Sequence, residues 1–417
     1  MKYGCIGERL GHSFSREIHG LIGEYEYELR EVGRDELDKF ATEREFLGIN
    51  VTIPYKEQII PYLYYIDTSA EKIGAVNTVV NRDGKLFGYN TDYFGMESLL
   101  EHAGIDPNGK KVVILGTGGT SKTAYAVASD LGAREIIKVS RKESELAISY
   151  ERLYRDHRDA EIIINTTPVG MYPNSDGLSL DISEFGSLVG VIDAVYNPIR
   201  TRLISDALAR GIAAEGGLYM LVAQAVRASE IFLGTGYPEN TIEKIYNKII
   251  KEKENVVLIG MPSSGKSTVG KILSELLGKR CVESDKIIEE KSGVTIPEIF
   301  DRHGEVAFRE IESEVIAEVA DENSAVISTG GGVILSPLNI ERLKRNGRVY
   351  FIDRPLELLT PTSDRPTASD RAALEKRYTE RYDKYLSLCD KRVDGAKDAP
   401  LVAKEIAEDF LNENIYN

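Results

Sequence analysis

The stretch G-M-P-S-S-G-K-S-T at residues 260–268 carries the spacing G-x-x-x-x-G-K-[ST]. An apolar run, N-V-V-L-I, precedes it and an amphipathic segment, 268–277, follows, so the pattern predicts a glycine-rich loop between a strand and a helix. Such a loop turns successive backbone N–H groups and a helix N-terminus toward one point, which is a cradle for phosphate. Gly260 and Gly265 shape the turn and Ser263, Ser264 and Thr268 stand along it. Lys266 adds a point charge at the terminal phosphates of ATP, and the Ser267 hydroxyl can ligate Mg²⁺. Ser263 stands where loops of this kind commonly have glycine, which is acceptable if its φ is negative.

Further groups able to do chemistry follow. V-E-S-D-K-I-I-E-E (282–290) places Glu283 and Asp285 two residues apart at the expected end of a strand, where alternation aims both the same way. Residues 299–312, I-F-D-R-H-G-E-V-A-F-R-E-I-E, put Arg309 on a helix. Gly330, Gly331 and Gly332 follow another apolar strand and let backbone approach a ligand closely. Residues 363–385 supply many arginines, Arg365 and Arg381 among them, most of which read as a charged helix face.

The first half has a second glycine turn, L-G-T-G-G-T-S-K-T at 115–123, with Gly116, Gly118 and Gly119 between a strand and a helix. After the next strand come Ser140, Arg141 and Lys142, basic where an NAD site would place an acid. Arg141 suits the 2′-phosphate of NADP; a solvated Arg–Lys pair is the alternative. Upstream, 11–19 (G-H-S-F-S-R-E-I-H), 49–57 (I-N-V-T-I-P-Y-K-E), 74–79 (G-A-V-N-T-V) and 88–95 (G-Y-N-T-D-Y-F-G) hold more polar groups than packing needs. Asn90-Thr91-Asp92 taken alone is also an ordinary helix cap.

These residues need elements to hold them. Apolar runs alternate with helical patterns along the 417 residues, which predicts two or three domains of α/β type. The clearest strands leading into glycine turns lie in 110–119, 161–165 and 255–260. A periodic helix over 238–253 runs directly into the last of them, leaving 251–254 as the only candidate linker and a boundary near Lys253. A hydrophobic content of 42% and a charged content of 29% are those of a soluble globular protein. The net charge of −15 argues against nucleic acid or an anionic membrane as partner. Cys5, Cys281 and Cys389 lie far apart, without paired spacing for zinc or redox work, and read as packing residues in a reducing compartment. The first fifteen residues have no apolar signal-like core and no run is long enough to cross a membrane, so the expected location is cytoplasmic.

Taken in order, the phosphate loop, Asp285, G-E-x-x-F-R (304–309), Gly330–332, Arg365-Pro366 and Arg381 within R-x-x-x-Y resemble shikimate kinase over 255–411. The resemblance implies that Asp285, Arg309, Gly331 and Arg381 hold shikimate, that Lys266 and Asp285 are catalytic, and that Arg365 closes over ATP from a lid. It also puts Glu283 beside the metal with Ser267, at a position where the family usually has Asp. The lid at 358–366 is short and lacks an arginine often found at its start.

The first half resembles shikimate dehydrogenase over about residues 2–246, with later matches in I-N-T-T-P-V-G-M (164–171), D-A-V-Y-N-P-I-R-T (193–201) and G-G-L-Y-M-L-V-A-Q-A (216–225). It implies that Ser13, Ser15, Thr52, Lys56, Asn77, Asp92, Tyr196 and Gln224 bind shikimate, with Lys56 and Asp92 the catalytic pair. Gly116, Gly118, Gly119, Arg141, Lys142 and Gly217 would then hold NADP(H). Reduction of a ketone needs a proton donor for the developing alkoxide, a role a lysine ammonium beside a carboxylate can fill. Arg16 departs from the usual Pro, Gly20 from the usual Asn, and the short span from Arg141 to Glu161 implies a helix reduced to a turn around 143–146.

Both halves together imply an α/β substrate domain at 1–100 completed by helices within 218–253, a Rossmann-type NADP domain at 101–217, and a P-loop kinase domain with a parallel sheet at 254–417. The expected enzyme reduces 3-dehydroshikimate with NADPH and then phosphorylates shikimate with ATP and Mg²⁺. The expected partners are small molecules, as a monomer or a homodimer.

Overall fold

Three sheets carry the strands of a computed structural model that describes residues 1–10, 14–360 and 370–412. The chain divides into two units, Met1–Ile249 and Ile250–Asn417.

The first unit holds two sheets. Strands β1 (Tyr3–Gly7), β2 (Tyr27–Glu31), β3 (Gly48–Val51), β4 (Tyr65–Ile66), β5 (Thr78–Arg82) and β6 (Lys85–Tyr89) form a mixed sheet in the order β2-β1-β3-β5-β6-β4. β5 and β6 are an antiparallel hairpin whose two-residue turn, Asp83-Gly84, takes φ of 52° and 78°. Positive φ at both positions is what the right-handed strand twist selects, and Asp-Gly adopts it readily. Ile6, Ile49, Val51, Val79 and Leu86 pack into the core of this sheet.

Strands β7 (Lys111–Leu115), β8 (Glu135–Ser140), β9 (Ile148–Ser149), β10 (Ile162–Asn165), β11 (Gly190–Asp193) and β12 (Ala213–Glu215) form a parallel sheet in the order β12-β11-β10-β7-β8-β9. Numbered from its own first strand, this is the doubly wound 3-2-1-4-5-6 order, which opens a crevice where the winding reverses, between β7 and β10. The expected turn is present, with Ser144 and Ala147 bonding each other, and only a seven-residue helix, Tyr150–Asp156, follows it.

The second unit has five parallel strands, β13 (Asn255–Ile259), β14 (Arg280–Glu283), β15 (Ala325–Ser328), β16 (Gly347–Asp353) and β17 (Lys391–Asp394), ordered β14-β15-β13-β16-β17. Its central strand β13 is buried along its whole length, as the continuous apolar run requires.

The division between the units lies close to Lys253, inside the helix Thr241–Lys253, between Ile249 and Ile250. The end of that helix belongs to the second unit because buried Lys279 donates to the carbonyls of Lys251, Glu252 and Glu254 at 2.7, 3.0 and 2.9 Å, and Lys251 donates to the Phe410 carbonyl. No helix among the described residues is long and apolar enough to cross a membrane.

Candidate functional site

In the first unit a cavity of about 470 Å³ is lined by Ser15, Thr52, Lys56, Asn77, Asp92, Tyr196, Gly217 and Gln224, side by side although they come from across the unit's sequence. Asp92 sits in the first turn of the helix Thr91–His102, and Asn90 caps that helix by accepting from the Asp92 N–H at 3.1 Å. The cap of Asn90-Thr91-Asp92 forms, and it places Asp92 at the cavity wall. Partial positive charge at the helix start favours the carboxylate there. Lys56 Nζ donates to Asp92 Oδ2 at 2.6 Å, both side chains mostly buried.

The Asn77 side-chain Oδ1 accepts from the Thr91 N–H at 2.7 Å and from the Thr78 hydroxyl at 3.0 Å. Its Nδ2 makes no hydrogen bond to a described residue, so the donor end of this buried amide is left for a ligand. Gln224 lies on the helix Leu218–Leu233, which packs against Thr91–His102 at Gly95, where a Cβ would come within 2.7 Å of the Met220 carbonyl. That missing side chain brings Asp92 and Gln224 to one cavity.

The glycine turn follows β7 at the crevice. Gly116 has φ of 109°, Gly118 caps the helix Gly119–Asp130, and the Ser121 hydroxyl closes the turn on the Gly116 carbonyl at 2.7 Å. Arg141 and Lys142 stand exposed just past the end of the neighbouring β8, with the Lys142 carbonyl bonded by the Ser140 hydroxyl. Neither they nor the three turn glycines line the 470 Å³ cavity; of the residues expected to hold cofactor, only Gly217 does. Ser13 lies outside the described residues.

Several cavity residues went unnoticed in the sequence, among them Arg9, Asn50, Met171, Tyr172 and Asn197. Asn50 was within reach, since it precedes V-T-x-P-x-K; its side chain accepts from Tyr27 and donates to Thr78.

In the second unit the P-loop lies between β13 and the helix Lys266–Leu277, so Lys266 and Ser267 are first-turn residues. Lys266 Nζ curls over the loop and donates to the carbonyls of Gly260 and Met261, each at 2.9 Å. The Ser264 hydroxyl is buried with no partner among the described residues. Ser263 corrects the expectation of negative φ: it stands at +65°, the left-handed region, because the loop geometry and not the residue dictates that turn.

A cavity of about 410 Å³ gathers Ser267, Glu283, Asp285, Arg309, Glu312, Gly330–332 and Arg381. Glu283 and Asp285 both reach it, but not by strand alternation. β14 ends at Glu283 and Asp285 lies in the helix Ser284–Ser292, since the chain turns into a helix directly at Ser284. Arg309 is on the helix Ile296–Ala320, kinked at Gly304. Its guanidinium donates to Glu312 at 2.6 Å and to Glu305 at 3.0 Å, and a Cβ on Gly332 would overlap it. Arg381 and Tyr385, one turn apart on the helix Arg371–Leu388, both donate to the Gly331 carbonyl.

Glu312 is the residue the sequence reading passed over. It is buried, burial pushes its carboxyl up against the pull of Arg309, and one of its oxygens has no partner among the described residues. The available signal was its place three residues after Arg309, on the same helix face. Arg365 and most of the lid lie outside the described residues.

Ser267 and Glu283 offer two hard oxygens to the cavity. Burial pushes Glu283 up, but Lys286 at 2.5 Å and the Ser267 hydroxyl outweigh it and hold the carboxyl below its usual value. Such a pair fits Mg²⁺, which takes one or two protein oxygens and completes its shell with phosphate and water.

The first unit thus has the build of a dinucleotide oxidoreductase and the second that of a P-loop phosphotransferase. Family models match at both: shikimate dehydrogenase substrate binding domain at residues 5–79 and shikimate kinase at 262–413. The chain belongs to the shikimate dehydrogenase family and carries a shikimate kinase domain behind it. It is similar to the shikimate dehydrogenase (NADP(+)) of Clostridium perfringens strain SM101, 37% identical over 265 residues, 59% of this chain and 97% of that one. Among solved structures, shikimate dehydrogenase 1 from Peptoclostridium difficile is 39% identical with a TM-score of 0.55, covering 60% of this chain and 98% of its own. A chorismate mutase/shikimate 5-dehydrogenase fusion from Clostridium acetobutylicum is 34% identical with a TM-score of 0.56, covering 59% and 96%.

Proposed function

We propose that the chain catalyses two consecutive reactions, NADPH-dependent reduction of 3-dehydroshikimate to shikimate and ATP-dependent phosphorylation of the shikimate 3-hydroxyl. The observation that carries this reading is that each cavity sets its reactive group among side chains suited to a small polyhydroxy acid. Lys56–Asp92 stand among Ser15, Thr52, Asn77 and Gln224, and the P-loop stands beside Asp285, Arg309 and Arg381.

When bound, NADPH supplies a hydride in the first unit and Mg–ATP a phosphoryl group in the second. The Lys56 ammonium, held by Asp92, stabilises the alkoxide forming at the C3 oxygen and delivers its proton. Ser15, Thr52, Asn77, Gln224 and Tyr196, with Ser13, orient the substrate. Gly116, Gly118, Gly119 and Gly217 let backbone approach the dinucleotide, and Arg141 and Lys142 favour NADP through its 2′-phosphate. In the kinase, Arg309 and Arg381 hold the substrate carboxylate, a task for which a guanidinium's paired donors are suited. Gly331 backs the ring, and Asp285 orients the 3-hydroxyl and takes its proton. Gly260, Ser263, Ser264, Gly265 and Thr268 frame the phosphates, Lys266 and Arg365 stabilise charge on the transferring group, and Ser267 and Glu283 hold Mg²⁺.

The corresponding domains are 1–100 with the helices within 218–253, 101–217, and 254–417. The test is a coupled reaction with 3-dehydroshikimate, NADPH and ATP–Mg²⁺ followed by mass. Shikimate 3-phosphate should accumulate with one NADPH consumed per molecule formed; shikimate accumulating unphosphorylated, or no NADPH oxidation, defeats one half of the reading or the other.

A further inference from the structure

Asp193 is the last residue of β11, fully buried, and it does not line the 470 Å³ cavity. It nevertheless ties together two loops that do. Its Oδ1 accepts from Asn165 Nδ2 at 2.9 Å and from the Val195 N–H at 3.0 Å, and its Oδ2 accepts from the Thr201 hydroxyl at 2.7 Å. Asn165, its neighbour across the parallel pair at the end of β10, uses its own side-chain oxygen to accept from the N–H and hydroxyl of Thr167, at 3.0 and 2.7 Å.

The loop after β10 runs beside the glycine turn. The Thr166 hydroxyl bonds the Leu115 carbonyl at 2.6 Å, and the loop then brings Met171 and Tyr172 to the cavity. The loop after β11 brings Ala194, Tyr196 and Asn197 there, and its Val195 carbonyl accepts from the Gly217 N–H at 2.9 Å. A bond from the Tyr172 N–H to the Asn197 carbonyl at 3.0 Å joins the two loops directly. A carboxylate is the one side chain of this size with acceptors only, so all three neighbours can donate to it at once.

We propose that Asp193 is a positioning residue that couples the two ligand sites of the dehydrogenase: it holds the cofactor-side loop and the Tyr196 loop in one register, so that ordering either loop improves the other site. The proposal rests on the dehydrogenase reading of this cavity. Coupling of this kind is reciprocal, so it can be read from one ligand alone.

The measurement is NADPH fluorescence titration of the full chain, without and with saturating shikimate. NADPH and shikimate are both reduced and do not react, and shikimate at the kinase site is silent in this signal. The parent should bind NADPH about fivefold or more tightly when shikimate is present. Asp193→Asn keeps Oδ1 as acceptor and can donate its amide to Thr201, so its coupling should stay within about twofold of the parent. Asp193→Ala should bring the ratio close to one while kinase turnover of the same chain is kept. If that variant does not fold, Thr201→Val, which removes only one donor, should still lower the ratio. An uncoupled parent, full coupling in Asp193→Ala, loss in Asp193→Asn equal to that in Asp193→Ala, or an unchanged ratio in Thr201→Val each overturns the proposal. Failure of the parent to oxidise shikimate with NADP⁺ would instead defeat the reading beneath it.

Discussion

The two cavities are finished to different degrees by their own residues. In the first, the Lys56 ammonium already has its carboxylate, Asp92 at 2.6 Å, and Gln224 donates to the Leu221 carbonyl at 2.8 Å, with the Asn77 Nδ2 the amide group left open among the described residues. In the second, an oxygen of Glu312 and the Nε of Arg309 are buried without partners among the described residues. Buried polar atoms without partners cost free energy unless a ligand or water satisfies them. The difference lies in the pairing: the first site closes its cation on a carboxylate, whereas the second leaves a guanidinium N–H and a carboxylate oxygen open.

The largest break in this comparison should come from removing either reactive cation. Lys56→Ala should lower dehydrogenase kcat by about three orders of magnitude, and Lys266→Ala should do the same to the kinase. Separate steady-state assays would show each change confined to its own activity; a joint loss would mean the sites are not independent.

Next in size is Glu312. Glu312→Ala leaves the Arg309 guanidinium without its buried partner, which costs ~1–3 kcal/mol. The kinase KM for shikimate should rise roughly tenfold, with dehydrogenase KM for the same compound unchanged, and unaltered kinase KM would show that Arg309 is held without it.

A smaller effect concerns His102 in the first unit, stacked on Tyr219 and facing Glu215 at 3.4 Å and Glu243 at 3.7 Å. Burial pulls the imidazole down, but the two carboxylates outweigh it and its pKa is raised. The folded state therefore binds this proton more tightly than the unfolded one. The stabilisation is complete below the ordinary histidine pKa and is lost as pH rises through the raised folded value. His102→Gln should flatten that slope in melting temperature against pH for the first unit and leave the second unit's profile alone.

The smallest change should be a gain. Ser263→Gly relieves a side chain held at φ +65° and should stabilise the second unit by about 0.5–1 kcal/mol, once glycine's extra chain entropy is counted. A melting temperature that falls would mean that the serine makes a compensating bond.

Much of this was legible in the sequence because the chemistry sits in short motifs. Lys56, Thr52, Asn77, Asp92 and Gln224 were each marked by their neighbours, and all reach one cavity. Where the reading failed, a local rule was applied across a change of element. Glu283 and Asp285 were judged by strand alternation, but the strand ends between them.

By itself the sequence singled out the P-loop lysine, the lysine–aspartate pair, and Arg309 and Arg381. Those depend on residue type and on backbone period, which neighbours along the chain settle. Only the tertiary structure decided the backbone angle of Ser263, the burial of Glu312 against Arg309, and the position of Asp193 between two loops. The Ser263 angle is set by the turn of its own loop, the Glu312–Arg309 pair shares one helix face but owes its burial to packing, and Asp193 binds groups from separate segments that leave no mark in spacing.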